Sequence, residues 1–185
     1  MNRIKTTLLA SAIAFAAAAP AQAAEYKIDS DHTFVVFEVV HLGIGKAYGM
    51  FRNTTGSYDP DAGKLNVVID ANSLYTANKK RDEHLRGPDF FNAKQFPEIT
   101  FESTKIDTKG DEIQVTGNLT MKGKTKKVSF PMKKVGEGKD PWGNYRTGYE
   151  GSLTVNRMDF GVDYMPEGLS KEVTLNLAVE GIKQK

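Results

Sequence analysis

Apolar and polar residues alternate along most of this 185-residue chain, in short runs separated by turn residues. In the run KEVTLNLAVEGI near the carboxyl end, apolar residues recur at every second position from Val173 to Val179. A period of two is typical of a β-strand with one buried face, and we count about eight such strands. The same spacing places four further sets each on one face: Val35, Phe37, Val39 and His41; Val115, Gly117, Leu119 and Met121; Val128, Phe130 and Met132; and Tyr149, Gly151, Leu153 and Val155.

The turns between these runs are short and predict antiparallel connections. The segments 59–63, 108–111 and 122–124 hold the Gly, Pro and Asp residues that favour turns. Links this short exclude a parallel sheet, because parallel neighbours need a crossover of about a dozen residues or more.

One segment, from Asn78 to Arg86, lacks the period of two. Asn78 can cap the start of a helix, Gly87 can end it, and Pro88 cannot continue it. About four strands, one short helix and about four more strands predict an all-β fold, in which an antiparallel sheet closes into an eight-stranded barrel with the helix over one end. A β-sandwich is the alternative architecture.

The inward residues bear on whether such a barrel holds a ligand. A barrel of about eight strands is either filled by side chains or just wide enough for one ligand. Gly117 and Gly151 would remove volume from the lumen wall, although each could equally mark a bend of its strand. Phenylalanines after the helix would either line a pocket at one mouth or plug that end as core. They are Phe90, Phe91, Phe96 and Phe101. We expect an apolar hollow through the middle of the barrel, closed to water.

The first 23 residues have the features of a secretory signal peptide. Arg3 and Lys5 precede the apolar run LLASAIAFAAAA, and small residues lead up to cleavage after Ala23. That run has 12 residues, whereas a helix needs about 20 to span a bilayer. We therefore expect an exported, soluble domain of residues 24–185, with a membrane anchor as the alternative.

The charge balance argues against a nucleic-acid-binding protein, and the absence of cysteine excludes a disulfide-stabilised fold. The chain has 25 Lys and Arg against 23 Asp and Glu, and residues 1–23 hold two of the basic residues and none of the acidic ones, which leaves 23 of each. A neutral domain lacks the positive field that nucleic acid binding needs, so we predict no nucleic acid partner. Because cysteine is absent, the fold must be held by packing without disulfides.

Candidates for catalysis or metal binding are few. His32 and His41 are nine residues apart on what we interpret as one strand, which would point them to opposite faces, and no HExxH pattern includes His84. Ser30, Asp31 and His32 are consecutive and cannot relay a proton in an extended chain. GxSxG, Walker and GxGxxG motifs are absent. We predict no metal site, no catalytic residue, and a binding protein rather than an enzyme.

Several longer motifs resemble one known family. They are YKID followed by His32, FEVVHLG, YGMF, NSLYTANKKRDEHLRGPDFFNAKQFPEITFES from Asn72 to Ser103, GNLTMKGKTKKV, DPWG and the terminal VEGIKQK. From Tyr26 to Lys185 the chain resembles the YceI family, periplasmic lipocalin-like proteins that bind polyisoprenoids. The central motif is long and specific.

The resemblance implies an extended, eight-stranded, lipocalin-like barrel in the periplasm. Its lumen would hold one long isoprenoid chain without a covalent bond, with a quinone-like or phosphorylated head group near the opening, and with no other cofactor. Members of the family also carry fatty acids or their amides. The residues that we expect to line the lumen are Val35, Phe37, Val39, Phe51, Leu85, Phe90, Phe91, Phe96, Phe101, Gly117, Leu119, Phe130, Tyr149, Leu153, Leu175 and Leu177.

The charged helix suits a lid, which must be polar outside and apolar beneath. We expect Leu85 to point inward, and Arg81, Asp82 and Arg86 to stay near water. The candidates for contact with a polar or anionic head group are His41, Arg81, His84 and Arg86. As an alternative, Arg81 pairs with Asp82 or Glu83 and stabilises only the lid.

The outward face of the first long strand is unexpectedly apolar. It carries Phe34, Val36 and Val40, where the family leads us to expect more polar residues. The face either forms a homodimer or is covered by the segment from Tyr26 to Ile28, and we favour the second.

We predict a periplasmic carrier or store of an isoprenoid lipid, such as a quinone or its precursor. Stable insertion into a membrane is not expected, and transient contact with one is left open. The alternatives are an enzyme that modifies such lipids inside the barrel and a stress-response protein whose barrel is packed solid.

Overall fold

The computed structural model describes residues 25–184 and shows a barrel of antiparallel strands. The predicted signal peptide lies outside the described residues. The elements are β1 (Tyr26–Ile28), β2 (Phe34–His41), β3 (Gly45–Phe51), β4 (Thr54–Asp59), β5 (Lys64–Asp70), β6 (Leu74–Tyr75), α1 (Lys79–Arg86), β7 (Glu98–Lys109), β8 (Glu112–Met121), β9 (Lys124–Lys139), β10 (Tyr145–Asn156) and β11 (Leu169–Lys183). Short 3-10 helices, Ala71–Ser73 and Arg157–Phe160, follow β5 and β10.

Eight strands form the barrel because two pairs of segments each act as one strand. β1 and β2 are parts of the first strand, β3 and β4 are parts of the second, and β5 and β7 to β11 supply the rest. β2 pairs with β11 and β3, while β1 pairs with β11 and β4, so the ring closes along the whole first strand. The eight-stranded antiparallel barrel is confirmed. A sandwich is excluded, because the hydrogen-bonded order returns to its starting strand.

The register brings the predicted apolar sets together inside the barrel. Val115 lies opposite Phe130, and Leu119 lies opposite Phe101. The predicted turns connect β4 to β5, β7 to β8 and β8 to β9. Periodicity and turn chemistry were sufficient to predict these strands because both are local properties of the sequence.

β9 and β10 separate toward the end of the barrel where α1 lies. β10 pairs with β9 only from Tyr145 to Gly151, and the rest of β10 pairs with β11 alone. The segment 157–162 packs beside β9 there, and its Phe160 and Val162 are 2% and 4% exposed. Side chains of this segment, rather than strand pairing, therefore close the wall at that point.

Two expectations about the first strand are wrong. His32 and His41 do not share a strand, because the chain turns at residues 29–33 before β2 begins at Phe34. The segment from Tyr26 to Ile28 does not cover the outer face of β2, because it pairs edge to edge with β11 and β4. Phe34 and Val40 stay 46% and 39% exposed. A homodimer through this face stays a prediction.

No helix among residues 25–184 combines the length and the apolar character needed to cross a membrane.

Candidate functional site: apolar cavities inside the barrel

An apolar cavity of about 110 Å³ lies beneath α1, and we name it the upper cavity. It is lined by side chains from α1, from the loop that follows it, from the segment 157–162 and from seven of the barrel's strand segments. Nine of the residues predicted to line the lumen lie here: Val35, Phe37, Val39, Phe51, Leu85, Phe90, Phe91, Leu119 and Leu175. The lining also includes residues that were not predicted: Ile69, Ile99, Met121, Val155, Arg157, Val162, Leu169 and Val173. All of these side chains are apolar except that of Arg157.

A second cavity, of about 60 Å³, lies toward the opposite end, and we name it the lower cavity. Its lining includes Tyr149, which was predicted to line the lumen, together with Tyr58, Val115 and Val179. Burial is the main cause that raises the pKa of both the Tyr58 and the Tyr149 hydroxyl. The Tyr58 hydroxyl also bonds with Thr147. Both phenols are therefore neutral at physiological pH.

A packed layer separates the two cavities. On β8, Leu119 lines the upper cavity and Val115 the lower one, with Gly117 between them. Phe101 and Phe130 line neither cavity, and their ring centroids lie 5.5 Å apart. The expectation of one continuous hollow is therefore wrong, because the ring of Phe101 lies over Gly117 and packs against that of Phe130, from the strand on the other side of β8, in the space between the cavities.

The layer also changes the interpretation of several predicted lumen residues. Gly117 does not widen the lumen, because the ring of Phe101 fills the space beside it. Leu153 is buried in the core between the cavities. Leu177 borders a wide, solvent-open depression lined mainly by polar side chains of β7 to β11. Phe96 lies near Gly123 in the turn between β8 and β9 and lines neither cavity.

Local sequence fixes the lid helix α1. The Asn78 side chain accepts a hydrogen bond from the backbone N–H of Arg81, at 3.0 Å, and the N–H of Gly87 bonds back to the carbonyl of His84. Leu85 faces the upper cavity as expected. In the loop that follows, Phe91 packs edge-on against Phe51, with ring centroids 5.5 Å apart.

Asp82 does not stay near water, which corrects the expectation for this residue. It is 5% exposed, and its carboxylate accepts hydrogen bonds from the backbone N–H of Thr76 at 2.8 Å and from the Thr76 hydroxyl at 2.5 Å. Arg81 donates to the same hydroxyl and to the Thr76 carbonyl. Arg81 therefore meets Asp82 through Thr76, and this group fixes the start of α1 to the chain before it.

Three of the head-group candidates lie on the lid helix itself and His41 lies at the end of β2, and none of the four lines either cavity. Arg86 donates to the carbonyl of Leu74 at 2.9 Å. His84 bonds with Asp89 at 2.8 Å, and His41 is exposed at the end of β2. Contact of these residues and of Arg81 with a ligand stays a prediction, as it does for the lumen residues.

Arg157 is the feature of the upper cavity that sequence reasoning missed. It is 5% exposed, and its guanidinium donates to the carbonyls of five residues. They are Val162, Tyr164, Met165, Leu169 and Ser170. Burial is the main cause that lowers the pKa of Arg157. It holds the segment before β11 at the cavity rim, and no periodic pattern announces such a role.

A charged cluster on the outer wall fixes the ends of three strands. Among residues 25–184, Asp29, His32 and Glu180 could bring ligand atoms for a metal ion together. Arg146 already bonds with Asp29 at 2.5 Å and with Glu180 at 2.6 Å. The hydrogen bond to Asp29 is the main cause that raises the pKa of His32. A metal ion would have to displace the guanidinium, so the arrangement favours an ion-pair network.

Comparison with known proteins identifies the family. A model described as a YceI-like domain matches residues 26–181. The chain belongs to the YceI family. A UPF0312 protein of Pseudomonas aeruginosa (strain LESB58) is 45% identical over 190 residues, which cover 98% of this chain and all of that protein.

Solved structures agree with this assignment. The crystal structure of a Campylobacter jejuni YceI protein matches with a TM-score of 0.70 and 30% identity, over 79% of this chain and 90% of that one. A polyisoprenoid binding domain from Saccharophagus degradans, described as implicated in plant cell wall breakdown, matches with a TM-score of 0.68 over 86% of this chain and 98% of that one. At its 15% identity the likeness to that domain concerns the fold.

Proposed function

We propose that this protein is a periplasmic carrier or store that holds the tail of a long-chain isoprenoid lipid inside its barrel. The observation that carries the proposal is the apolar upper cavity, which lies under a charged helix that turns Leu85 toward it. The fold shared with a solved polyisoprenoid binding domain supports the same ligand class. Export to the periplasm rests on the amino-terminal sequence and on the family.

Burial of the tail would supply most of the affinity. Each five-carbon isoprene unit contributes about 4 kcal/mol at about 0.8 kcal/mol per buried carbon group, before ordering costs. Three or four units would approach nanomolar affinity. The head group is then needed for specificity and orientation more than for strength.

The closed barrel must open to hold such a tail. An engineered protein cavity of about 150 Å³ accepts one benzene molecule, whereas the upper cavity measures about 110 Å³. A chain of several isoprene units therefore needs side-chain movement. Movement of Phe101 and Phe130 out of the layer between the cavities would join the two and supply that space.

The cavity linings support binding without catalysis. Among the described residues, Arg157 is the one titratable side chain that lines the upper cavity, and its donors are already used by backbone carbonyls. General acid-base catalysis needs a group that exchanges a proton near neutral pH. Neither this guanidinium nor the neutral phenols of the lower cavity meet that need, and the third titratable residue of the lower cavity, Lys64, is exposed to solvent.

Organic extraction of the purified, exported protein, followed by mass spectrometry, tests the proposal. One isoprenoid lipid per chain supports the proposal. Fatty acids or fatty amides in its place would show that the protein carries a different class of lipid. A protein that yields no lipid and also takes up no prenyl quinone from detergent would be a solid barrel, and the proposal would be wrong. Unaltered ligand after prolonged incubation with the protein separates carriage from lipid modification.

A pair of variants tests the importance of the tail. Leu119→Lys places a charge in the upper cavity, whereas Arg86→Ala removes one head-group candidate and a bond to the Leu74 carbonyl. We expect the first to reduce lipid retention in native mass spectrometry far more than the second. Circular dichroism must show that both variants are folded. If the Leu119→Lys variant is not folded, Leu119→Asn is used in its place. The reverse order would contradict a tail-driven complex.

A further inference from the structure

Exposed apolar side chains gather beside the mouth of the upper cavity. Leu42 and Ile44, on the turn between β2 and β3, are 51% and 87% exposed. Tyr164 and Met165, on the loop before β11, are 43% and 40% exposed. The N–H of Leu42 bonds to the carbonyl of Gly168 at 2.7 Å, which ties the two loops together. We name these four residues the rim patch.

The backbone at Leu42 is strained for the residue it carries. The N–H of Ile44 bonds back to the carbonyl of His41, and Leu42 and Gly43 have φ values of 54° and 66°. Two positive values at the centre of the four-residue turn from His41 to Ile44 define a type I′ turn, in which Asn-Gly is preferred and a bulky apolar residue is unfavourable. Half of the Leu42 surface stays in water, so little packing compensates for this choice. Residues that fit their local backbone poorly, and whose packing does not compensate, occur mainly at functional sites.

The rim patch is continuous with the cavity. The ring of Tyr164 lies 5.1 Å from those of both His84 and Phe90, and Phe90 lines the upper cavity. Leu169, which follows the loop, also lines it. A chain that leaves the cavity past α1 therefore emerges beside the patch.

We propose that the rim patch docks the protein onto a phospholipid bilayer, with Leu42 and Ile44 inserted at the boundary between head groups and acyl chains. This proposal rests on the proposed function, since an isoprenoid tail crosses least water when the cavity mouth meets the membrane directly. A convex turn suits a soft apolar layer, whereas a second protein copy would need a matching concave surface. Nearby charges supply no positive field, because Lys46 is paired with Glu38 and the loop before β11 adds the acidic Asp163 and Glu167. Binding should therefore be driven by apolar insertion and depend weakly on salt.

A relocated tryptophan tests the orientation on the membrane. Trp142 is 80% exposed in the turn between β9 and β10, at the end of the barrel opposite the rim patch. In a Trp142→Phe, Ile44→Trp variant, phosphatidylcholine vesicles should shift the emission to the blue, and brominated acyl chains should quench it. The native Trp142, in the otherwise unchanged protein, should show neither effect. Equal quenching at both ends, or at neither, would overturn the proposal.

Two substitutions separate docking from a structural role. Ile44→Ser should lower vesicle partitioning roughly tenfold, whereas Val135→Ser, which changes a 68% exposed residue at the other end, should leave it unchanged. Leu42→Asn should weaken partitioning yet raise the melting temperature by about 2 °C, because Asn suits the turn. Partitioning should persist from about 0.1 M to about 1 M salt.

Lipid content, measured in the same samples, distinguishes the two proposals. Lipid-loaded variants that no longer bind vesicles keep the proposed function and support docking. Lipid-loaded native protein that does not bind vesicles, or that loses a dimer when Ile44 is replaced, would overturn docking alone. Empty protein that still binds vesicles through the rim patch would overturn the proposed function alone.

Discussion

The ring of Phe101 occupies the place that a side chain at Gly117 would take: a Cβ atom built on Gly117 would lie 2.5 Å from the ring's Cζ atom and would also crowd the Glu102 carbonyl. Cross-strand pairing alone does not explain this arrangement, because Phe101 lies directly opposite Leu119. The glycine admits the ring into the layer between the two cavities. Gly117 thus sets the position of Phe101 and, through it, the division of the lumen.

Gly117→Ala should therefore destabilise the barrel. The added methyl group must displace an aromatic ring and a backbone carbonyl, and overpacking of this kind costs about 2 kcal/mol. Equilibrium urea unfolding measures the change. Gly138→Ala is the matched control, because a Cβ atom there meets nothing within 4 Å, and it should change stability by less than about 0.5 kcal/mol. Equal effects of the two substitutions would show that Gly117 is not a packing position.

Phe101→Ala should join the two cavities and change the preference for chain length. In the unaltered protein, longer prenyl chains must separate Phe101 from Phe130, so affinity should rise little once the upper cavity is full. In the variant it should keep rising with each added isoprene unit. The ratio of affinities for a long and a short prenyl quinone measures this effect and is insensitive to modest loss of stability. Phe34→Ala removes a ring of the same kind from the outer face and should leave the ratio unchanged; an unchanged ratio in both variants would contradict the role of the layer.

The sequence predicted those features that are encoded locally. The period of two marked the strands, and Asn78 and Gly87 marked the ends of α1, because both signals depend on neighbouring residues. The strand count and the closure of the barrel followed from them. Nine of the residues that line the upper cavity are also among those predicted to face the lumen, most of them because the inward residues of alternating strands share that face.

The features that depend on distant contacts were not predictable from pattern. Asp82 looks like one charge among several on the helix, and its burial requires Thr76 on the chain before it. The alternation of apolar and polar residues indicates that Phe101 and Phe130 point inward. It does not indicate that the two rings contact each other and divide the lumen. Arg157 carries no pattern at all, because a buried guanidinium bonded to carbonyls needs no charged partner.

Arg157→Lys should destabilise the rim although it retains a positive charge. The five N–H donors of the guanidinium are matched to five carbonyls. The lysine ammonium offers only three donors, at the end of a flexible chain. We expect a loss of about 2 kcal/mol for Lys and more for Met, because buried carbonyls are left without donors. Urea unfolding gives the magnitude, and hydrogen exchange should increase between residues 162 and 170. If Lys restores full stability, the charge rather than the planar fork is what the site requires.

The carboxylate of Asp140 should make stability fall in acid. Desolvation acts to raise its pKa, but hydrogen bonds from Arg146 and Asn144, and from the backbone N–H groups of Asn144 and Trp142, together lower it to about 2 from the ordinary value of 3.8. A pKa lower in the folded state means that the charged form stabilises the fold. This contribution is complete above the unfolded value near 3.8 and disappears as the pH falls through about 2.

The urea midpoint of the unaltered protein should therefore drop across this range, and Asp140→Asn should show a shallower drop, because it has no charge to lose. Asp107→Asn, at a half-exposed position on β7, serves as the control and should retain the steep drop; equal slopes in all three proteins would show that other carboxylates govern unfolding in acid.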